Sequence, residues 1–159
     1  MEPKKIIKMN KLYITGLFGD IKEHKILLND FLVGFKNDPF PIVEKYRCEL
    51  PFWNKAKSKG IRMPGENYFI GYKSHGVIES DFFVTLEIPA SEWAMFEVVP
   101  SKWYKSGDKA VEGWIKHNDL YDWQKFEGSK YQLEVYGEKY SGPDSVLEIW
   151  YQIEPKKHT

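Results

Sequence analysis

The chain has 159 residues, enough for one ordinary domain that buries a core without disulfides or metal. Lys and Arg number 23, as do Asp and Glu, so the net charge is zero and no overall basic field attracts nucleic acid. Cys48 is the only cysteine, which excludes an internal disulfide, and every apolar run is far shorter than the roughly 20 residues that span a bilayer. We therefore expect a soluble, cytoplasmic protein that binds neither nucleic acid directly nor membrane.

The first half of the chain predicts one helix among three strands. Residues 11–18 are rich in β-branched and aromatic side chains, which is typical of a strand. Apolar residues between 21 and 35 recur at helical spacing, namely Leu27, Leu28, Phe31, Leu32 and Phe35. Residues 44–50 alternate as a strand, with Tyr46, Cys48 and Leu50 on one face and Arg47 and Glu49 on the other. Residues 68–72 predict a further strand.

After an additional strand, the second half repeats the order of strand, helix, strand and strand. Residues 82–88 and 93–99 predict two strands around a turn at 89–91, and a helix follows whose apolar stripe is Ala110, Val111, Trp114 and Ile115. Residues 131–136 and 145–153 predict two more strands. We expect one α+β domain over 1–159, with two β-α-β-β repeats at about 11–73 and 92–153. The repeats would be related by pseudo-twofold symmetry, with mainly antiparallel sheets, one helix each, a connecting hairpin strand at 82–88 and a polar tail at 154–159.

Alternation along the last strand separates two faces. Leu147, Ile149, Tyr151 and Ile153 form an apolar set that we expect under the second helix, which leaves Glu148 and Trp150 on the opposite face. The same logic assigns Tyr131, Leu133 and Val135 to that core, which leaves Glu134 and Tyr136 on the face of Glu148. Carboxylates beside aromatic rings are typical of a cleft that binds an organic cation. The alternative is a solvated strand face.

Several of these segments resemble a known family. IPASEWAMFEV at 88–98, the helix with Trp114, YQLEVY at 131–136 and SVLEIWYQI at 145–153 are similar to GyrI-like effector-binding domains. Such domains lie behind the DNA-binding part of AraC- and MerR-type regulators and also occur alone. The resemblance implies a cleft between two β-α-β-β repeats that binds lipophilic, often cationic compounds around a central glutamate. That glutamate maps onto Glu148, and family aromatics map onto Trp93 and Tyr136.

The sequence departs from the family pattern at two places. Pro100 follows Val99 where a glycine is expected, and Gln152 stands where a proline is expected. The resemblance still predicts a stand-alone effector-binding or drug-sequestering protein, related to transcription regulation through a partner. The candidate ligand-binding residues share rings or carboxylates expected at the cleft: Glu148, Tyr136, Trp150, Trp93, Glu134, Tyr72, Tyr68 and Trp103.

Three functions stay open, and ligand binding is favoured over catalysis. The second is hydrolysis of reactive small molecules, with Glu148 as the base and Tyr136 as the proton donor. The third is a protein-binding inhibitor of the gyrase-inhibitor type. We expect no cofactor and no metal, because no histidine has metal-ligand spacing to another histidine or to Cys48. The natural ligand, a homodimer and a protein partner are left open.

Overall fold

The computed structural model describes residues 2–52, 67–102, 108–123, 125–126, 129–130 and 132–157. Within these residues, nine strands join one sheet and two more form a separate hairpin. In chain order the strands are β1 Lys5–Met9, β2 Leu12–Gly19, β3 Ile42–Pro51, β4 Tyr68–Ser74, β5 Val84–Ile88, β6 Ser91–Val98, β7 Tyr121–Trp123, β8 Lys125–Phe126, β9 Ser129–Lys130, β10 Gln132–Tyr136 and β11 Leu147–Pro155. The helices are a 3-10 turn Ile21–Glu23, α1 His24–Asn37, the short α2 Pro100–Lys102 and α3 Asp108–His117.

The sheet consists of two strand-helix-strand-strand units that meet at its centre. Its order is β1-β6-β11-β10-β3-β4-β2-β5, with β7 beside the end of β11, and the described pairings are antiparallel. The first unit is β2-α1-β3-β4 and the second is β6-α3-β10-β11. Between them β3 pairs with β10, where Glu49 lies directly opposite Glu134. The predicted α+β class with two β-α-β-β units is confirmed; the domain limits stay a prediction.

Short connections force this sheet to curl. β6 and β5 are second and eighth in the strand order, a separation of about 29 Å in a flat sheet with strands about 4.8 Å apart. The link from Ile88 to Ser91 can span only about 11 Å. The two ends therefore approach each other over one face, the concave face. Leu12 and Ile88 from one end pack there with Trp93 and Met95 from the other.

The strand pairings contradict the hairpin that the sequence predicts for residues 82–88 and 93–99. β5 pairs with β2, whereas β6 pairs with β1 and β11, so β5 and β6 are not hairpin partners. The tight turn between them carries the chain from one end of the curled sheet to the other. β1 was not predicted, and the first helix retains its apolar stripe except for Leu32, which is 43% exposed.

Both long helices lie on the convex face, where each covers its own core. Leu27 and Phe31 of α1 pack on Ile70 of β4. Val111 and Ile115 of α3 pack in a second core, whose strand residues include Leu147, Ile149, Tyr151 and Ile153. The prediction for the apolar face of the last strand is therefore confirmed. The central pair β3 and β10 runs between the two helix-covered cores.

Candidate ligand-binding site

The register between β10 and β11 decides which side chains share a face. Glu134 lies opposite Ile149, and Val135 lies opposite Glu148. Because Ile149 belongs to the core beneath α3, Glu134 and Tyr136 project from the helix-bearing face, whereas Glu148 projects from the concave face. The prediction that Glu134 and Tyr136 share a face with Glu148 is wrong.

Two carboxyl groups occupy the centre of the helix-bearing face. Glu49 is fully buried and Glu134 is 7% exposed. The Tyr68 hydroxyl lies 2.7 Å from Oε1 of Glu49 and 3.1 Å from Oε2 of Glu134, so one phenol joins the two units. We use the name central cluster for the side chains that are linked to these carboxyls: Glu49, Glu134, Tyr68, Tyr136, Arg47 and His24.

Glu49 has two basic partners. Arg47 Nε donates to Oε2 of Glu49 at 2.6 Å, and His24 Nε2 lies 2.6 Å from Oε1. Burial alone would raise the pKa of Glu49, but hydrogen bonds from His24 and Tyr68 and the charge of Arg47 lower it below its ordinary value. The hydrogen bond to Glu49 in turn raises the pKa of His24 against the opposing effect of burial. This half of the cluster is a compact, charged pair.

Glu134 has hydroxyl partners instead. Its Oε2 lies 3.1 Å from the hydroxyl groups of both Tyr68 and Tyr136. Among the described residues, no basic side chain forms an ion pair with it. Burial and the neighbouring charge of Glu49 raise the pKa of Glu134 to about 7, although the tyrosine hydroxyls oppose the rise. Glu134 therefore exchanges a proton in the neutral range.

Aromatic rings surround the charged half of the cluster. Arg47 lies opposite Tyr136 on β10 and opposite Tyr72 on β4. Its guanidinium carbon is 3.9 Å from the centre of the Tyr136 ring, a close cation–π contact. Tyr72 packs against Phe31 and Phe35 of α1, with ring centres 5.0 and 4.9 Å away. Flat aromatic rings thus border the charged groups on this face.

Glu148 lies in a different place, beside an open cavity of about 350 Å³ on the concave face. Trp150 Nε1 donates to Oε1 of Glu148 at 3.1 Å. Lys73, which also lines the cavity, pairs with Glu44 at 2.9 Å and lies 5.8 Å from the Trp150 ring centre. The expected aromatic neighbour of Glu148 is therefore present, but its expected partners Glu134 and Tyr136 are on the other side of the sheet.

The remaining candidate ligand-binding residues do not lie together. Tyr68 belongs to the central cluster. Trp93 is 1% exposed in the concave core and meets Trp150 edge to face at 6.5 Å between ring centres. Trp103 lies outside the described residues.

Metal and thiol chemistry find little support in the part of the chain that the structure describes. No group of three or more His, Cys, Asp or Glu side chains there could hold a metal ion. Cys48 is buried, and burial raises the pKa of its thiol to about 12, so reactive thiolate is scarce. Within the same residues, no helix has the length and apolar character of a membrane span.

Solved structures with low sequence identity match nearly the whole chain. The C-terminal domain of EcmrR has a TM-score of 0.60 and 13% identity, with 94% of this chain and 96% of that domain covered. The EcmrR–DNA complex gives a TM-score of 0.61 and 11% identity over 94% of this chain, which spans 56% of that longer chain. SAV2435 bound to tetraphenylphosphonium gives 0.54 and 12%, with 97% and 94% covered. Models of known protein families and curated proteins gave no match.

The chain shares its fold with the EcmrR C-terminal domain. The fold that the GyrI-like resemblance implies is therefore confirmed. At identities of 11 to 13% the comparison extends to the fold and not to individual side chains. The roles of the central cluster and of Glu148 must therefore be argued from this chain's own contacts.

The candidate residues from the sequence omit three members of the central cluster, Glu49, Arg47 and His24. One signal for Arg47 was available, because strand alternation already placed it on the same face as Glu49, and that alternation is confirmed. His24 gave no comparable signal, since it meets Glu49 only when the start of α1 lies over β3.

Proposed function

We propose that this chain binds a small organic cation with an apolar body on the helix-bearing face, beside Glu134. One observation carries the proposal: Glu134 is an almost buried carboxyl whose hydrogen-bond partners, within the described part of the chain, are tyrosine hydroxyls rather than a cation. A buried carboxylate without a counter-charge is costly. A ligand cation would supply that charge and favour the ionised form of Glu134.

The surroundings of Glu134 support an apolar ligand body. The two helix-packed cores flank the central strand pair, and tyrosine rings lie beside the carboxyls. Flat rings with a polar tip suit an organic cation, since they contact its apolar body and its charge at once. Among the proteins with this fold, SAV2435 was solved with tetraphenylphosphonium, a lipophilic cation.

Such binding fits a sensing or sequestering role. EcmrR carries this fold in a chain that was solved on DNA. We propose that the present chain acts as an effector-binding unit that either reports a ligand to transcription through a partner or holds the compound. The sequence predicts that the chain itself lacks the basic field for direct DNA contact, since its net charge is zero.

The test compares two matched substitutions on opposite faces. Calorimetric titration with tetraphenylphosphonium should give saturable binding to the wild-type chain. We expect Glu134→Gln to weaken that binding at least tenfold, about 1.4 kcal/mol, because the neutral amide cannot balance the ligand charge. Glu148→Gln makes the same chemical change on the concave face and should leave the affinity within about twofold, well under 1 kcal/mol.

Two outcomes would contradict this placement. Loss of binding in Glu148→Gln alone would assign the ligand to the cavity beside Trp150, where the family resemblance places the central glutamate. Absence of saturable binding to a folded wild-type chain, over a panel of lipophilic cations, would reject the binding function.

Hydrolysis stays a second candidate because Glu134 carries a pKa of about 7 and accepts a hydrogen bond from Tyr136. The expected pair, Glu148 and Tyr136, is separated by the sheet and cannot act on one substrate atom. Glu134 as the base and Tyr136 as the proton donor replace it. Turnover of a reactive small molecule that survives in both Glu134→Gln and Tyr136→Phe would exclude this mechanism. Gyrase-type protein inhibition stays a prediction without support from the described contacts.

A further inference from the structure

The two halves of the central cluster differ in charge. Glu49 contacts both Arg47 and His24, whereas Glu134 contacts hydroxyl groups. The strand sequences explain this difference in charge. Arg47 precedes Glu49 by two residues, whereas the neutral Gln132 precedes Glu134 by two residues. Among the residues that the structure describes, Glu49 therefore has basic partners of its own and Glu134 has none.

Arg47 contacts both an aromatic ring and a carboxylate of the central cluster. Its guanidinium carbon is 3.9 Å from the Tyr136 ring centre, and its Nε is 2.6 Å from Oε2 of Glu49. One aromatic face and one carboxylate in the site are thus occupied by a cation of the protein. The Arg47 side chain is 22% exposed, so its charge is only partly screened by water.

We propose that Arg47 determines the charge of the ligand, so that the site accepts one positive charge and discriminates against a second. This inference rests on the proposed function, because it concerns the same site. A monocation can place its charge beside Glu134 without approaching Arg47 closely. A dication must bring its second charge near Arg47, where like charges repel, or leave that charge outside the site.

Two dyes with one ring system make a sharp test. Ethidium carries one positive charge, and propidium carries the same phenanthridinium ring with an added quaternary ammonium group. We expect the wild-type chain to bind ethidium at least tenfold more tightly than propidium at fixed pH and ionic strength. In Arg47→Gln the affinity for propidium should rise at least tenfold, and the affinity for ethidium should rise less. The ratio of the ethidium affinity to the propidium affinity should therefore approach one.

Arg47→Lys is the matched control, since it keeps the charge and should keep a preference for ethidium. His24→Gln removes the second basic side chain beside Glu49 without exposing the Tyr136 ring, and should raise propidium affinity by a smaller factor. It also tests the inference if Arg47→Gln does not fold, as thermal melting would reveal. An unchanged dye ratio in Arg47→Gln or His24→Gln overturns the inference, as does a wild-type chain that binds both dyes equally. A wild-type chain that binds tetraphenylphosphonium but neither dye overturns the inference alone, whereas absence of saturable binding of tetraphenylphosphonium and of both dyes overturns the proposed function as well.

Discussion

Replacing Glu134 by Gln should stabilise the fold at alkaline pH, although it removes hydrogen-bonding capacity from the core. The pKa of Glu134 is raised from 4.5 to about 7 in the folded chain. A raised carboxyl pKa means that the folded state holds the proton more tightly than the unfolded state does. Stability contributed by this group is therefore fully present below about pH 4.5, falls between that pH and pH 7, and is absent above it.

The magnitude follows from the two pKa values. One pKa unit corresponds to about 1.4 kcal/mol, so ionisation of Glu134 weakens folding by about 3 kcal/mol above pH 7. Gln keeps the shape and an amide oxygen that can accept from Tyr68 and Tyr136, but it has no charge to desolvate. We expect Glu134→Gln to exceed the wild-type stability by up to about 3 kcal/mol at pH 8.5, or about 6–12 °C in Tm. The gain should vanish at pH 4.5.

Urea unfolding followed by tryptophan fluorescence at several pH values measures this difference directly. Glu49→Gln is the matched control, because the same change at the symmetry-related position should have the opposite sign. The pKa of Glu49 is lowered by His24, Tyr68 and Arg47, so the variant should be less stable than wild type above about pH 5. A Glu134→Gln difference that is independent of pH, or destabilisation at pH 8.5, would refute the reasoning about Glu134.

Three further predictions follow from separate features of the structure. Binding of tetraphenylphosphonium at pH 7 should release up to about half a proton, because Glu134 with its pKa of about 7 is half protonated there. The release is measured as a dependence of calorimetric heat on buffer ionisation enthalpy, and Glu134→Gln should abolish it. Gly16→Ala should lower the free energy of unfolding by about 1–3 kcal/mol, because a Cβ there would lie 1.9 Å from the Ile70 carbonyl oxygen. Gly113→Ala in α3 meets open space and should raise the free energy of unfolding by about 0.5–1 kcal/mol, and urea unfolding measures both changes. Cys48, with a pKa of about 12, should react with a thiol reagent at pH 8 only as the chain unfolds, and rapid native labelling would show that it is not enclosed.

The fold and half of the site were accessible from the sequence because they depend on local patterns. Helical spacing around Phe31 identifies α1, and alternation in the last strand identifies the side that packs beneath α3. Alternation in β3 likewise places Arg47 and Glu49 together. Each of these inferences concerns neighbours within one element, where backbone geometry alone fixes which side chains point the same way.

Local patterns could not show which side chains of β10 lie on the helix-bearing face. Alternation separates Leu133 and Val135 from Glu134 and Tyr136, but it does not say which set meets a helix. The apolar set was assigned to the helix side because only that side was expected to be buried. The curled sheet buries its concave face as well, and Leu133 and Val135 pack there.

The sequence by itself thus determined the β-α-β-β order of the two repeats and which side chains share a face within each predicted strand. Tertiary structure alone decided that Glu134 faces Glu49 and that Glu148 lies on the opposite side of the sheet. The physical reason is that these positions depend on register between β10 and β11 and between β3 and β10. A shift of one residue in either pairing would exchange the two faces of a strand without changing any local pattern.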